Sequence, residues 1–124
     1  MRLLTVTVAL LGLSASSALA DCQWARFSFK MGQDMSATAS AISGVACKLR
    51  VRNGRDTTFT SFKVATQPAH GHVEVANDGY YYWLYTSKAG YKGPDSFVGV
   101  VVGTGTQFSG TSHISVSVDV QAPP

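Results

Sequence analysis

The stretch QPAHGHVEV, residues 67–75, carries three side chains able to ligate a metal, His70, His72 and Glu74. They stand at alternate positions, and alternate side chains of an extended strand point to one face. Imidazole and carboxylate groups hold Zn²⁺ or Cu²⁺ well when at least three of them converge. Gly71 interrupts the series, because glycine readily adopts backbone angles that end an extended run. If the chain turns there, only His72 and Glu74 share a face, opposite Val73 and Val75. His113, the other histidine, is out of phase with Ile114 and points outward. A turn leading into a solvated strand face is therefore the preferred reading. A small periplasmic metal-binding protein using His70, His72 and Glu74 is the alternative, and no cofactor is expected.

Two other clusters invite a binding role. Residues 80–85 read YYYWLY, which sets Tyr81, Trp83 and Tyr85 on one face and Tyr80, Tyr82 and Leu84 on the other. An exposed aromatic stripe on a strand can bind proteins or glycans. Lys48, Arg50 and Arg52 alternate with Cys47, Leu49 and Val51, and Arg55 follows. Such a basic face shields a sheet edge from unwanted pairing. The alternative, functional reading is attraction to anionic envelope polymers. Catalytic signatures are missing: the chain has no Gly-x-Ser-x-Gly, no His-Glu-x-x-His and no phosphate-binding loop. An enzyme is not expected.

The N-terminus reads MRLLTVTVALLGLSASSALA. Arg2 precedes an apolar run, Leu3 to Leu13, and Ala18-Leu19-Ala20 is a small-x-small cleavage pattern. The run is too short to span a bilayer, so residues 1–20 are expected to be a cleaved signal peptide. The mature chain, residues 21–124, would be one domain, periplasmic or secreted. The whole chain has ten Lys and Arg against seven Asp and Glu; without Arg2 the balance is nine against seven, or +2. That weak charge does not call for nucleic acid. Cys22 and Cys47 are the only cysteines. Export and an even count point to a disulfide between them.

Strand patterns fill the mature region. The segment Ser36 to Ile42 has enough alanine for a short helix, but its alternation of Ser or Thr with Ala favours a strand. Phe59 and Phe62 fall on opposite parities, which calls for a bulge or a two-sided strand. Cys22 and Trp24 are out of phase with Phe27 and Phe29, and a bulge near Ala25 and Arg26 would bring all four inward. Asn53-Gly54 and Asn77-Asp78-Gly79 are turn signals. The last strand alternates Ile114, Val116, Val118 and Val120 with Ser115, Ser117 and Asp119. Seven to eight short strands with a turn every eight to twelve residues indicate an all-β antiparallel sandwich.

From Gln67 onward the chain resembles the bacterial Ig-like, cadherin-like repeats. Pro68-Ala69-His70-Gly71, the turn Asn77-Asp78-Gly79, Tyr85-Thr86, and Gly90, Tyr91, Gly93, Asp95 and Phe97 carry the likeness. The closing HISVSVDV is similar to the final strand of those repeats. Ser87 stands where the repeats usually have proline, and Gly99 where an aromatic is common. The resemblance implies an Ig-like β-sandwich with a non-enzymatic role. It places Tyr85 inside with Tyr81 and Trp83, leaving Tyr80, Tyr82 and Leu84 outside. The paired acidic motifs for calcium are missing, so those sites do not carry over. Gly90, Tyr91, Gly93, Asp95 and Phe97 are expected to form a structural loop, with Asp95 accepting backbone N–H bonds and Phe97 entering the core. The expected role is an interaction or structural module of the cell envelope. Its partner would be a protein or glycan met through a sheet face, and its state a monomer or weak oligomer.

Overall fold

The computed structural model of the chain describes residues 22–24, 30–51, 57–106 and 108–123. The expected leader, Asp21, the bulge at Ala25 and Arg26, Phe27, Phe29, the Asn53-Gly54 turn, Arg52 and Arg55 lie outside these residues.

The described alternation is realised as eight strands and no helix. They are β1 (Gln23–Trp24), β2 (Met35–Ile42), β3 (Cys47–Arg50), β4 (Thr57–Thr66), β5 (Gly71–Asn77), β6 (Tyr81–Ser87), β7 (Gly93–Gly105) and β8 (Gly110–Gln121). Two sheets form, a five-stranded one in the order β1-β2-β8-β7-β4 and a three-stranded one in the order β3-β6-β5. Neighbours run antiparallel except β2 and β8, which are parallel. The Ser/Thr–Ala alternation over 36–42 is a strand, with Ala37, Ala39 and Ala41 buried. Its alanines suit its position beside β1, where Trp24 pairs opposite Ala39 and needs the space.

β4 resolves its parity conflict with a bulge. Phe59 pairs with Gly103 and Ser61 with Val102, so Thr60 is the extra residue. The shift turns both Phe59 and Phe62 toward the core, where their ring centroids lie 5.8 Å apart. Val73 and Val75 point the same way from β5, but only Val73 is buried. Val75 is 38% exposed, because β5 is a sheet edge and its side chain reaches the open flank of the sandwich.

Trp83 occupies the middle of the core and is fully buried. Its ring stacks on Phe62 at 4.5 Å and meets Phe97 and Trp24 edge-on at 5.7 and 6.4 Å. Opposite it, β7 departs from the usual pattern at two places: Phe97 and Val101 face inward and Val98, Val100 and Val102 outward, but the inward positions 99 and 103 are glycine. A Cβ at Gly99 would come within 2.0 Å of the Trp83 ring, and one at Gly103 within 2.6 Å of the Met31 methyl. The inward side chains are absent because Trp83 and Met31 already fill the volume.

Cys22 and Cys47 are bonded across 25 residues, which ties the start of β1 to β3 and so bridges the two sheets. Trp24 Nε1 strengthens the tie by donating to the Arg50 carbonyl of β3 at 2.7 Å.

Two outcomes follow for stability. Gly99→Ala should lower it by about 3 kcal/mol, by forcing the Trp83 ring aside. In a Trp83→Leu background the same change should cost markedly less, and a double-mutant cycle in urea measures the difference. Reducing the disulfide should remove about 3 kcal/mol in the same assay.

Candidate binding face and the Asp95 brace

The three-stranded sheet gathers the candidate residues of three sequence segments onto its outer face. β6 runs down the middle. Arg50, Tyr82 and Ala76 form one cross-strand row, and Lys48, Leu84 and Glu74 form the next. Thr86 and His72 follow on the β5 side. Tyr82 and Leu84 are half-buried, and Tyr80, just before β6, is 55% exposed. The face thus has an apolar centre with polar flanks.

Its cations are not free. Lys48 Nζ and Arg50 Nη2 both bond Asp78 Oδ2, at 2.9 and 2.6 Å. Lys48 also lies over the Tyr82 ring, 4.6 Å from its centroid. The Lys48 bond first, then Arg50, holds the Asp78 carboxyl down at about 2. With Glu74 in the adjacent row, two cations meet two carboxylates, and the described part of the face is close to neutral. Arg52, the third cation of the stripe, lies outside the described residues. Alternation along β3 shows only the cations. Asp78 sits in the β5–β6 turn, and only the pairing of β3 with β6 brings it to them.

The histidines separate. His72 and Glu74 lie on the outer face of β5, whereas His70 stays in the turn before it, its ring stacked on Tyr91 at 4.1 Å and 5°. Among the described residues no three His, Cys, Asp or Glu side chains are placed to hold a metal, so His70, His72 and Glu74 are not assembled into a site. His113 lies far along β8, where Asp34 Oδ1 accepts its backbone N–H at 2.9 Å. That bond is the chief cause holding the Asp34 carboxyl below its ordinary range.

Of the expected structural loop only Gly90, Tyr91 and Lys92 lie between strands; Gly93, Asp95 and Phe97 belong to β7, because the chain already pairs with β8 from Gly93 onward, and Asp95 is buried there. Asp95 Oδ1 accepts the N–H groups of His70 at 3.2 Å and Ser96 at 3.0 Å. Its Oδ2 accepts the hydroxyl of Tyr85 at 2.6 Å. The carboxylate therefore braces more than its own strand: it joins β7 to the core of β6 and to the turn before β5. Gly90 and Gly93 have φ of 88° and 132°, closed to most side chains. The Tyr91 hydroxyl donates to the Pro94 carbonyl, and Phe97 is buried in the core. Burial first, then the Asp95 carboxylate, pushes ionisation of the Tyr85 hydroxyl far above its ordinary value.

The sequence profile of the bacterial Ig domain matches residues 27–119. The chain belongs to the bacterial Ig domain family. No curated protein sequence matches it significantly. Among solved structures, a 2,6-sialyltransferase of Vibrionaceae Photobacterium sp. JT-ISH-224, in complex with CMP and lactose, is similar at 13% identity and a TM-score of 0.45. That match spans 77% of this chain and 19% of the sialyltransferase.

Two departures of this bacterial Ig domain from the repeat pattern have local reasons. At Gly99 the aromatic volume comes from Trp83 on the facing sheet instead. At position 87 the serine is buried, and its Oγ accepts the Gly44 N–H at 3.0 Å, anchoring the β2–β3 turn. A proline there would offer no such acceptor.

Asp95→Ala should cost about 1–3 kcal/mol, since Tyr85 and His70 would each lose a partner. Unfolded tyrosine ionises near pH 10, while folded Tyr85 stays neutral well above that. Its contribution to stability is therefore complete below about pH 10 and declines as pH rises further. Urea midpoints from about pH 9 to about pH 11 should fall less steeply for Tyr85→Phe than for wild type.

Proposed function

We propose that this bacterial Ig domain is an exported, non-enzymatic interaction module of the cell envelope. It binds a protein or glycan partner through the outer face of the three-stranded sheet. Residues 1–20 act as a cleaved leader, and residues 21–124 are the domain that reaches the periplasm or the outside. The Cys22–Cys47 bond suits an oxidising compartment.

The observation that carries the reading is the stripe of half-buried Tyr82 and Leu84 with exposed Tyr80, at the centre of a face whose described cations are paired with a carboxylate. Aromatic rings with polar tips provide large contact area at small entropic cost, and recur at interfaces for that reason. The tethered cations favour a partner of low charge. Lys48 lies over the Tyr82 ring, and Asp78 offsets part of the charge of Lys48 and Arg50.

The test is binding of the mature domain to isolated envelope fractions and to an array of neutral glycans and envelope proteins. Tyr82→Ala and Leu84→Ser should each weaken capture about tenfold, as truncation of an interface anchor does. Ser117→Ala, on the opposite sheet, should leave it unchanged. Equal capture by all three variants would remove the face from consideration.

A further inference from the structure

We propose that the outer edge of β5 is a pairing edge for a second copy of this chain, and that Gln67 holds it shut. The proposal does not depend on the face reading above, since it uses the backbone of β5 rather than the side chains of β6.

Val73 places its N–H and C=O on the side of β5 away from β6. The Gln67 side chain meets both there: Oε1 accepts the Val73 N–H at 2.8 Å, and Nε2 donates to the Val73 carbonyl at 2.9 Å. The primary amide thus supplies the donor and acceptor that a neighbouring strand would supply. Residues two apart on a strand direct their backbone groups the same way. The N–H and C=O groups of Gly71 and Val75 therefore also line this edge. β5 is an outer strand of its sheet, and no further strand among the described residues pairs with it.

The β5 sequence is complementary to itself. In an antiparallel pairing centred on Val73, each Val73 exchanges two hydrogen bonds with its counterpart. Those replace the two that Gln67 makes. Gly71 then meets Val75 of the second copy. On the outer face His72 comes opposite Glu74 of the second copy, and Glu74 opposite His72. Both side chains are exposed in the single chain. An imidazole facing a carboxylate at each end of the short ladder favours this register. A partner of unrelated sequence would have no such match. Closure by Gln67 exchanges bonds one for one, so displacing it costs little, and removing it should leave Val73 open to pairing.

The test is sedimentation of the exported chain, disulfide intact, over a wide concentration range. Gln67→Ala should self-associate on the order of ten- to a hundredfold more strongly than wild type, and Gln67→Glu to an intermediate degree. Val75→Pro removes an edge N–H without touching the β5–β6 ladder and should abolish the gain. His72→Glu in the Gln67→Ala background sets carboxylates opposite each other and should weaken the dimer. Adding Glu74→Lys should restore it. If Gln67→Ala does not fold, Gln67→Glu decides the matter. Folded Gln67 variants that stay monomeric would overturn the proposal, as would a dimer indifferent to Val75→Pro.

Discussion

The packing of Trp83 between the sheets is the constraint on which the rest of the domain depends. The indole is the largest fully buried side chain, and its neighbours are cut to fit it. Gly99 yields its side-chain space, Phe62 stacks on one side, and Phe97 and Trp24 close the edges. Interiors are close-packed, so a single large ring on the central strand of one sheet dictates a small residue on the other. The indole N–H also needs a partner and finds the Lys63 carbonyl of β4 at 3.3 Å. One residue thereby sets the sheet separation, the composition of β7 and part of the β4 edge.

Edge control recurs through the fold. Among the described residues, one five-stranded and one three-stranded sheet have four outer strands, and an outer strand invites unwanted pairing unless it is blocked. β1 is only two residues long, which leaves little edge to pair. Trp24 reaches the Arg50 carbonyl on β3, Trp83 reaches Lys63 on β4, and Gln67 takes both groups of Val73 on β5. Two bulges further disturb β4, near Thr60 and Ala65. These side-chain contacts bring distant segments together at the same time as they cap the strands. The disulfide and Trp24 act on one seam, where β1 of the larger sheet meets β3 of the smaller.

The outer face of the smaller sheet is organised by a single carboxylate in a turn. Asp78 takes both Lys48 and Arg50, and Lys48 in turn covers the ring of Tyr82. The groups are exposed, so each ion pair contributes little to stability. Their effect is geometric and electrostatic: side chains that would otherwise sweep freely are held, and the two described cations of the face share one carboxylate. On the far side of the molecule, Asp95 plays a buried counterpart, joining three segments through His70, Ser96 and Tyr85.

The strands and their inward faces were legible in the sequence, because a period of two is a local property that a sandwich preserves. The closing strand Ile114 to Val120, the alternation over 36–42 and the conflict between Phe59 and Phe62 all reappear in the fold for that reason. The pairing of Cys22 with Cys47 was legible from the even count together with the expected export. Motif likeness pointed to the Ig-like sandwich, while Asp95 and Phe97, expected in a loop, lie in β7. Tertiary structure alone decided which strands are neighbours. That neighbourhood brings Asp78 to Lys48 and Arg50, lays Trp83 on Gly99, and makes β5 an edge that Gln67 can cap. It also parts His70 from His72 and Glu74, by letting the chain turn at Gly71 and stacking His70 on Tyr91. Side-chain contacts between separate strands depend on register and sheet order, and no local pattern encodes either.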